Sequence, residues 1–165
     1  MKTIQFIKKI MLFSALAFCS TLILSSCTKS DGNGSSASFN LSGTATGGQM
    51  VPKVTTNGSA TISGTYDPYS NVITYTVAWS NMTGTPNSGA LYIGTPGSNN
   101  NVTGVGQAWI MSPITPSSST SGSYIGWLTL SNDQATQLSA GNMFFMMGTV
   151  ANPNGEIRGQ MFINR

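Results

Sequence analysis

Apolar side chains recur at every second residue in several segments of this chain, and that period of two constrains the fold more than any other feature. In the segment 71–80, the residues that share one face are Ile73, Tyr75, Val77 and Trp79. Successive side chains of a β-strand point to opposite faces, whereas the side chains of a helix repeat every 3.6 residues. The pattern therefore predicts a half-buried strand at 71–80.

Further segments alternate in the same way, or are short apolar runs between turn-forming residues. The predicted strands are 38–45, 59–66, 71–80, 90–94, 104–111, 123–130, 143–150 and 156–163. Asp, Asn, Pro and Gly at 67–71 and 152–155 predict hairpin turns. Strands and turns at this spacing predict an all-β fold, an immunoglobulin-like β-sandwich or barrel of about eight strands.

One short helix is predicted within this β-pattern, at 131–141. Ser131 and Gln134 fit a capping box, and Gly141 fits a left-handed helix stop. The next segment, 143–147, reads Met-Phe-Phe-Met-Met and is apolar on both faces. It is therefore expected to form a central strand that is covered on both sides.

Residues 1–26 have the layout of a bacterial lipoprotein signal peptide. Lysines precede an apolar run at 10–24. As a helix that run would be about 22 Å long, which is short for a stable membrane span. It ends in Leu24-Ser25-Ser26-Cys27, which resembles a lipobox. We expect cleavage before Cys27 and acylation of its thiol and new amine; the alternative is ordinary secretory cleavage with Cys27 as a bystander.

Acylated Cys27 implies a membrane-lipid partner, because each buried methylene contributes roughly 0.8 kcal/mol. Residues 27–37 are small and polar, which predicts a flexible tether of the lipid-anchored chain. Residues 38–165 have the length of one domain. Thr28 stands where an aspartate would retain a lipoprotein at the inner membrane. The expected location is therefore the bacterial outer membrane, on a face that the sequence leaves open.

Charge and composition exclude several classes of function. Three of the seven Lys and Arg residues lie in the predicted signal peptide, and the remaining four balance the four acidic residues. A nucleic-acid partner is excluded, because it would require clustered basic residues. The chain has no histidine, and no cysteine follows Cys27, so the domain cannot contain a disulfide and must be held by its core.

Catalytic and metal chemistry have few candidate residues in the domain. Its acids are Asp67, Asp133 and Glu156, which are scattered and read as turn, capping and strand residues. The copper(I) candidates are Met143, Met146 and Met147, whose spacing sends Met146 to the opposite face of the strand. Core filling is the preferred interpretation of these methionines. We expect no enzyme activity, no cofactor and no metal site.

The segment Asn152-Pro-Asn-Gly-Glu-Ile-Arg-Gly-Gln160 resembles the CHRD domain family. Further resemblance lies in Val51-Pro52 with the spaced residues that follow, in 138–141, and in Tyr75. The resemblance implies an immunoglobulin-like sandwich or barrel with no established catalytic activity. The residues carried over as a family motif, interpreted as structural, are Gly155, Glu156, Ile157, Arg158, Gly159 and Gln160. Glu156 and Arg158 share a strand face and are expected to hold a neighbouring loop or pair across the sheet, with ligand contact as the alternative.

The chain also departs from the family. Positions at which relatives typically carry histidine are occupied by Leu91, Ile93 and Gly148. None of these side chains donates a lone pair to a metal, so metal binding is not carried over.

The aromatic residues and the loops leave the binding function open. The candidates for stacking on sugar rings, if several are exposed in one line, are Tyr66, Tyr69, Trp79, Tyr92, Trp109 and Trp127; most are expected in the core. The loops at 83–89, 94–106 and 112–123 are polar and uncharged, which favours a glycan or protein partner. The sequence predicts a non-enzymatic, lipid-anchored CHRD-domain lipoprotein that acts as an envelope interaction or binding module. The alternatives are a glycan-binding lipoprotein that uses exposed aromatics, and a degenerate relative of a metal-binding domain.

Overall fold

A computed structural model describes residues 37–99, 109–110 and 119–164 of the chain. The predicted signal peptide, the lipobox with Cys27, and the tether up to residue 36 lie outside the described residues. The same holds for most of the predicted strand 104–111. The predictions for these segments therefore stay predictions.

The described residues form eight strands, one short helix and one 3-10 turn. The strands are β1 Phe39–Thr46, β2 Ser59–Asp67, β3 Val72–Ser80, β4 Pro86–Ile93, β5 Trp109–Ile110, β6 Gly122–Thr129, β7 Met143–Thr149 and β8 Ile157–Asn164. The helix, α1, spans Asn132–Ser139, and the 3-10 turn spans Gly47–Gln49. The prediction of an all-β fold with one short helix is confirmed.

All eight strands belong to one antiparallel sheet in the order β5-β4-β7-β8-β1-β2-β3-β6. The sheet curls, and one of its faces packs on itself to form the core. Ile73 and Val77 come from β3 and Phe145 from β7, four strands away in the sheet order, and each is 0% exposed. Burial of such side chains contributes roughly 1.5–3 kcal/mol each, so the curl is stabilised by the apolar residues of the period-two pattern.

Helix α1 closes part of the core with Ala135 and Leu138, which are both buried. The capping box is present as predicted, since the Gln134 backbone N–H donates to the Ser131 side chain and the Gln134 side chain accepts from the Ser131 backbone. Gly141 follows the helix with φ +73°, the left-handed conformation that glycine adopts without strain. No helix in residues 37–99 or 119–164 is long and apolar enough to cross a membrane.

Strand β7 lies between β4 and β8 and is covered on both faces, as its apolar run predicts. Phe144 and Phe145 point to opposite faces, and both are 0% exposed. Strand β4 starts at Pro86, four residues before the predicted start at residue 90. Its first residues lack an apolar alternation but pair with Gly148 and Thr149 of β7, across a register shift between Pro86 and Ser88.

Candidate functional site

A cleft of about 440 Å³ lies between two loop segments at one end of the central strands. One wall comes from Met50, Val51, Pro52 and Val54, between the 3-10 turn and β2, and the other from residues 151–155, the β7–β8 turn. Asn99 also lines the cleft. These two segments are the ones whose sequences resemble the opening and the closing motifs of a CHRD domain, and the Val51–Pro52 peptide in the first is cis.

The first wall is fixed by Gly47. Its carbonyl accepts hydrogen bonds from the backbone N–H of Met50 at 3.2 Å and of Val54 at 3.0 Å. A Cβ atom at Gly47 would lie 2.3 Å from the carbonyl oxygen of Val54, so only glycine allows the segment to fold back this closely.

The second wall is a tight turn. The Asn152 N–H donates to the Thr149 carbonyl, and the Gly155 N–H donates to the Asn152 carbonyl, each at 3.1 Å. Gly155 has φ +113°, and a Cβ atom there would lie 2.6 Å from Cε of Met50 and 2.7 Å from Sδ of Met146. The absent side chain of Gly155 therefore brings the two walls together.

Glu156 lies next to Gly155, and its side chain is 0% exposed. One carboxylate oxygen accepts from the Thr56 hydroxyl at 2.7 Å and from the Thr83 N–H at 2.8 Å. The other accepts from the hydroxyls of Thr83 at 2.6 Å and Thr149 at 2.7 Å. Burial by itself raises the pKa of the carboxyl, but the hydrogen bonds from Thr83, Thr56 and Thr149 outweigh it, so the pKa lies below its usual value.

Arg158 lies on the second covered face of the sheet and is 2% exposed. Its guanidinium donates to the carbonyls of Ser98 and Thr95, the latter at 3.0 Å, and to the Ser98 hydroxyl at 3.1 Å. It also lies 3.7 Å from the ring centroid of Phe144, a cation–π contact. Burial lowers the pKa of this guanidinium, but arginine stays protonated in proteins. Arg158 thus fixes the segment that leads to Asn99.

The rest of the motif also makes close contacts. Gln160 donates to the carbonyls of Gly94 at 2.8 Å and Gly141 at 2.7 Å, and Ile157 is 0% exposed. A Cβ atom at Gly159 would lie 2.4 Å from the carbonyl oxygen of Thr44, so β1 and β8 approach closely there. Glu156, Arg158 and Gln160 each hold a different set of loop residues.

The sequence did not reveal the partners of Glu156. Thr56 lies 100 residues away and Thr83 lies 73 residues away. Each occurs in a polar loop with many other hydroxyl-bearing residues, so no local signal distinguishes it. Hydrogen bonding to a buried carboxylate could be recognised only once the fold had brought the loops together.

The positions that the family resemblance associates with histidine do not form a common site. Leu91 is 0% exposed and Ile93 is 9% exposed, both on the core face of β4. Leu91 pairs with Phe145 of β7, and Gly148 is three residues further along that strand, so it faces the opposite side. Across residues 37–99, 109–110 and 119–164, no three His, Cys, Asp or Glu side chains come together as metal ligands would.

The methionine candidates also separate. Met143 and Met147 lie in the core at 0% and 1% exposure. Met146 is only partly buried and lies on the other face, beside Gly155.

The aromatic candidates divide between the core and the surface. Tyr66 is 4% exposed and Trp79 is 5% exposed, so both fill the core. Tyr69 is 89% exposed and Trp127 is 73% exposed. Tyr92 is partly buried and stacks on Phe144, with 5.2 Å between ring centroids. The side chain of Trp109 lies outside the described residues.

These features define a small all-β domain, in which a buried polar motif fixes loops beside a cleft. A family model described as the CHRD domain matches residues 41–161. The chain therefore belongs to the CHRD domain family, as its motifs predicted, and that family is not a known enzymatic one. Searches of curated proteins and of solved structures each gave no match.

Proposed function

We propose that this protein is a non-enzymatic lipoprotein of the bacterial cell envelope, in which a CHRD domain anchored through Cys27 binds a neutral polar partner in the cleft. One observation carries the proposal. The two segments that bear the family's opening and closing motifs, 50–54 and 151–155, are far apart in sequence and line the same cleft.

The chemistry of the lining indicates the class of ligand. The cleft has amide groups from Asn99, Asn152 and Asn154 and apolar surface from residues such as Met50 and Pro153. Among the described residues, none that lines the cleft is acidic or basic, and the exposed Lys53 lies beside it between Pro52 and Val54. Such a surface favours partners that combine hydroxyl or amide groups with apolar patches, namely a neutral glycan or an uncharged protein loop, over ionic ligands.

The state of Glu156 supports a binding role over catalysis. A general acid or base must reach the group whose proton it transfers, and its pKa is usually tuned toward the working pH. The Glu156 carboxylate is fully buried, both of its oxygens are occupied by hydrogen bonds, and its pKa is lowered. It is held as a structural anion beside the cleft.

The anchor rests on sequence alone. The apolar run, the small pair Ser25-Ser26 and the thiol of Cys27 occur together at the spacing that lipoprotein processing requires. The polar segment 27–37 would span about 17–20 Å as a flexible coil. A tether of that length would keep the domain near the membrane surface, where an envelope partner could reach it.

The glycan alternative with exposed aromatics now depends on Tyr69 and Trp127, since Trp79 lies in the core. Residue Val72, just after the turn that carries Tyr69, pairs with Thr129, which is two residues beyond Trp127. The two rings thus belong to the same end of the sheet. The alternative of a degenerate metal-binding relative is tested by metal analysis of the purified protein, where a stoichiometric ion would favour it.

A substitution that blocks the cleft tests whether the partner binds there. Full chain purified from membranes is immobilised and exposed separately to detergent-solubilised envelope proteins and to solubilised cell-wall glycan. Ala151→Arg, which adds a long cation at the exposed rim, is compared with Ser139→Arg at the exposed end of α1. We expect one of the two probes to be retained by the parent and by Ser139→Arg and lost with Ala151→Arg. Equal retention by all three chains would exclude the cleft as the binding site.

A further inference from the structure

Strand β6 forms one edge of the sheet and has an unusual composition for an edge. In the part of the chain that the structure describes, its only strand partner is β3. Its eight residues, Gly-Ser-Tyr-Ile-Gly-Trp-Leu-Thr, include no charged residue and no proline. Its register with β3 runs from Gly122 to Thr129 without a bulge. Sheet edges normally carry charges, prolines or bulges, because a regular edge invites pairing with another chain.

Both faces of this edge strand present apolar side chains. Ile125 is 77% exposed and Trp127 is 73% exposed on the outward face. Tyr124 and Leu128 are partly buried on the inward face, where they pack against the core. Neighbouring apolar side chains that are this exposed indicate a surface that is covered in the functional state.

The order of residues along β6 makes it complementary to itself. We propose that β6 pairs antiparallel with β6 of a second copy of this chain, about a two-fold axis at Gly126. Ile125 then lies opposite Trp127 of the second copy, and Tyr124 lies opposite Leu128. Ser123 lies opposite Thr129. Aromatic residues opposite aliphatic ones are favourable cross-strand pairs, and they occur here on both faces of the same register.

Area and charge both favour a second copy as the occupant. A fully buried tryptophan covers about 150–250 Å², and a neighbour on an adjacent strand covers roughly half of such a side chain, so two copies each of Ile125 and Trp127 contribute roughly 300 Å². The inward pairs of Tyr124 with Leu128 and the backbones of the two strands add to this area, toward the ~1,000 Å² that a specific interface requires. Since β6 has no ionisable side chain apart from Tyr124, like charges do not oppose pairing. A sugar stacked on Trp127 would cover the ring but leave the backbone edge open, whereas a second strand covers both.

The proposal does not depend on the cleft, and its register can be tested by disulfide trapping. Full chains carrying Ser123→Cys and differently tagged full chains carrying Thr129→Cys are produced in the same cells, and their membranes are oxidised. The two positions are exposed and six residues apart on one strand, about 20 Å, so they cannot bond within one chain. The parent chain controls for Cys19 and Cys27, and mass spectrometry of the linked peptides identifies the bonded cysteines.

We expect a disulfide between residues 123 and 129 in the mixture and no 123–123 or 129–129 product from either variant alone. Adding Trp127→Thr should lower the trapped fraction by about tenfold, whereas Tyr69→Thr, which removes an exposed ring outside β6, should not change it. Circular dichroism checks that both variants are folded. The proposal is overturned if no mixed product forms, if all cysteine pairings form equally, or if the detergent-purified parent is monomeric and Trp127 instead responds to neutral glycan.

Discussion

The Glu156 carboxylate accepts a hydrogen bond of 2.6 Å from the hydroxyl of Thr83, a residue 73 positions earlier in the chain. The backbone N–H of Thr83 donates to the other carboxylate oxygen at 2.8 Å. With Thr56 and Thr149, Thr83 supplies the donors that replace water around a fully buried charge. Hydrogen bonds to a buried charge are costly to break, because the charge is then left without compensation.

We expect Glu156→Gln to lower the free energy of unfolding by about 2 kcal/mol or more. The amide NH2 that replaces one carboxylate oxygen cannot accept a hydrogen bond, so the donors that face it lose their acceptor. Asp133→Asn, at an exposed acid in the first turn of α1, is the control and should cost less than about 1 kcal/mol. Urea unfolding at pH 7 measures both. Equal stability of the two variants would show that the threonine shell does not stabilise the folded domain.

Acid should destabilise the domain through the same carboxylate. The pKa of Glu156 is lowered in the folded state. The pKa of the exposed Asp67 is also lowered, mainly by the hydrogen bond from Ser70. A carboxyl group whose pKa is lower in the folded than in the unfolded chain stabilises the folded state at pH values above its unfolded pKa, which is about 4 to 4.5. This stabilisation is lost as the pH falls through the pKa of the folded state. We expect urea midpoints that are level from pH 7 to about 5 and fall below that, with a smaller fall in Glu156→Gln. A midpoint that rises on acidification would contradict the assignment.

Alkali should act on Tyr75. Burial, with a smaller effect of Tyr124, raises the pKa of Tyr75 to about 12. A tyrosine whose pKa is higher in the folded than in the unfolded chain stabilises the folded state fully below its unfolded pKa of about 10. This stabilisation is lost as the pH rises through the pKa of the folded state. We expect the folded domain to lose stability between pH 10 and 12, and Tyr75→Phe to reduce that loss. Absorbance of tyrosinate at increasing pH, with and without urea, measures it; complete ionisation near pH 10 in the folded chain would refute the burial effect.

Gly159 should tolerate no side chain. A Cβ atom there would lie 2.4 Å from the Thr44 carbonyl oxygen and 2.7 Å from the Phe145 ring. We expect Gly159→Ala to cost about 3 kcal/mol or to prevent folding, because backbone atoms of β1 would have to move. Gly48→Ala is the matched control, since its nearest contact would be the Thr46 hydroxyl at 3.7 Å. Thermal unfolding of the two variants separates them, and similar midpoints would mean that β1 and β8 are not held at this spacing.

Local patterns were sufficient to predict most strands, α1 and its cap, because alternation and capping depend on neighbouring residues. They did not decide which face of β6 is buried. Ile125 and Trp127 are the larger apolar pair, yet they point outward, since the ring of Tyr75 occupies the space over Gly126 on the inward face. That contact depends on the register between β3 and β6, which no single segment encodes.

The candidate site was predictable only in part, for the same reason. The motif 155–160 was identified from its resemblance to a family, but the cleft exists because Gly47 and Gly155 bring together two loops that are about 100 residues apart. Which loops meet is a property of the strand order.

We propose that this CHRD domain works at a membrane to which Cys27 anchors it. Mass spectrometry of the N-terminal peptide of the protein, isolated from the membrane fraction of the organism that produces it, tests this anchor. We expect a chain that begins at Cys27, with a diacylglyceryl thioether on its sulfur and a fatty acyl group on its amine. An unmodified N-terminus, or a chain recovered from the soluble fraction, would contradict the account.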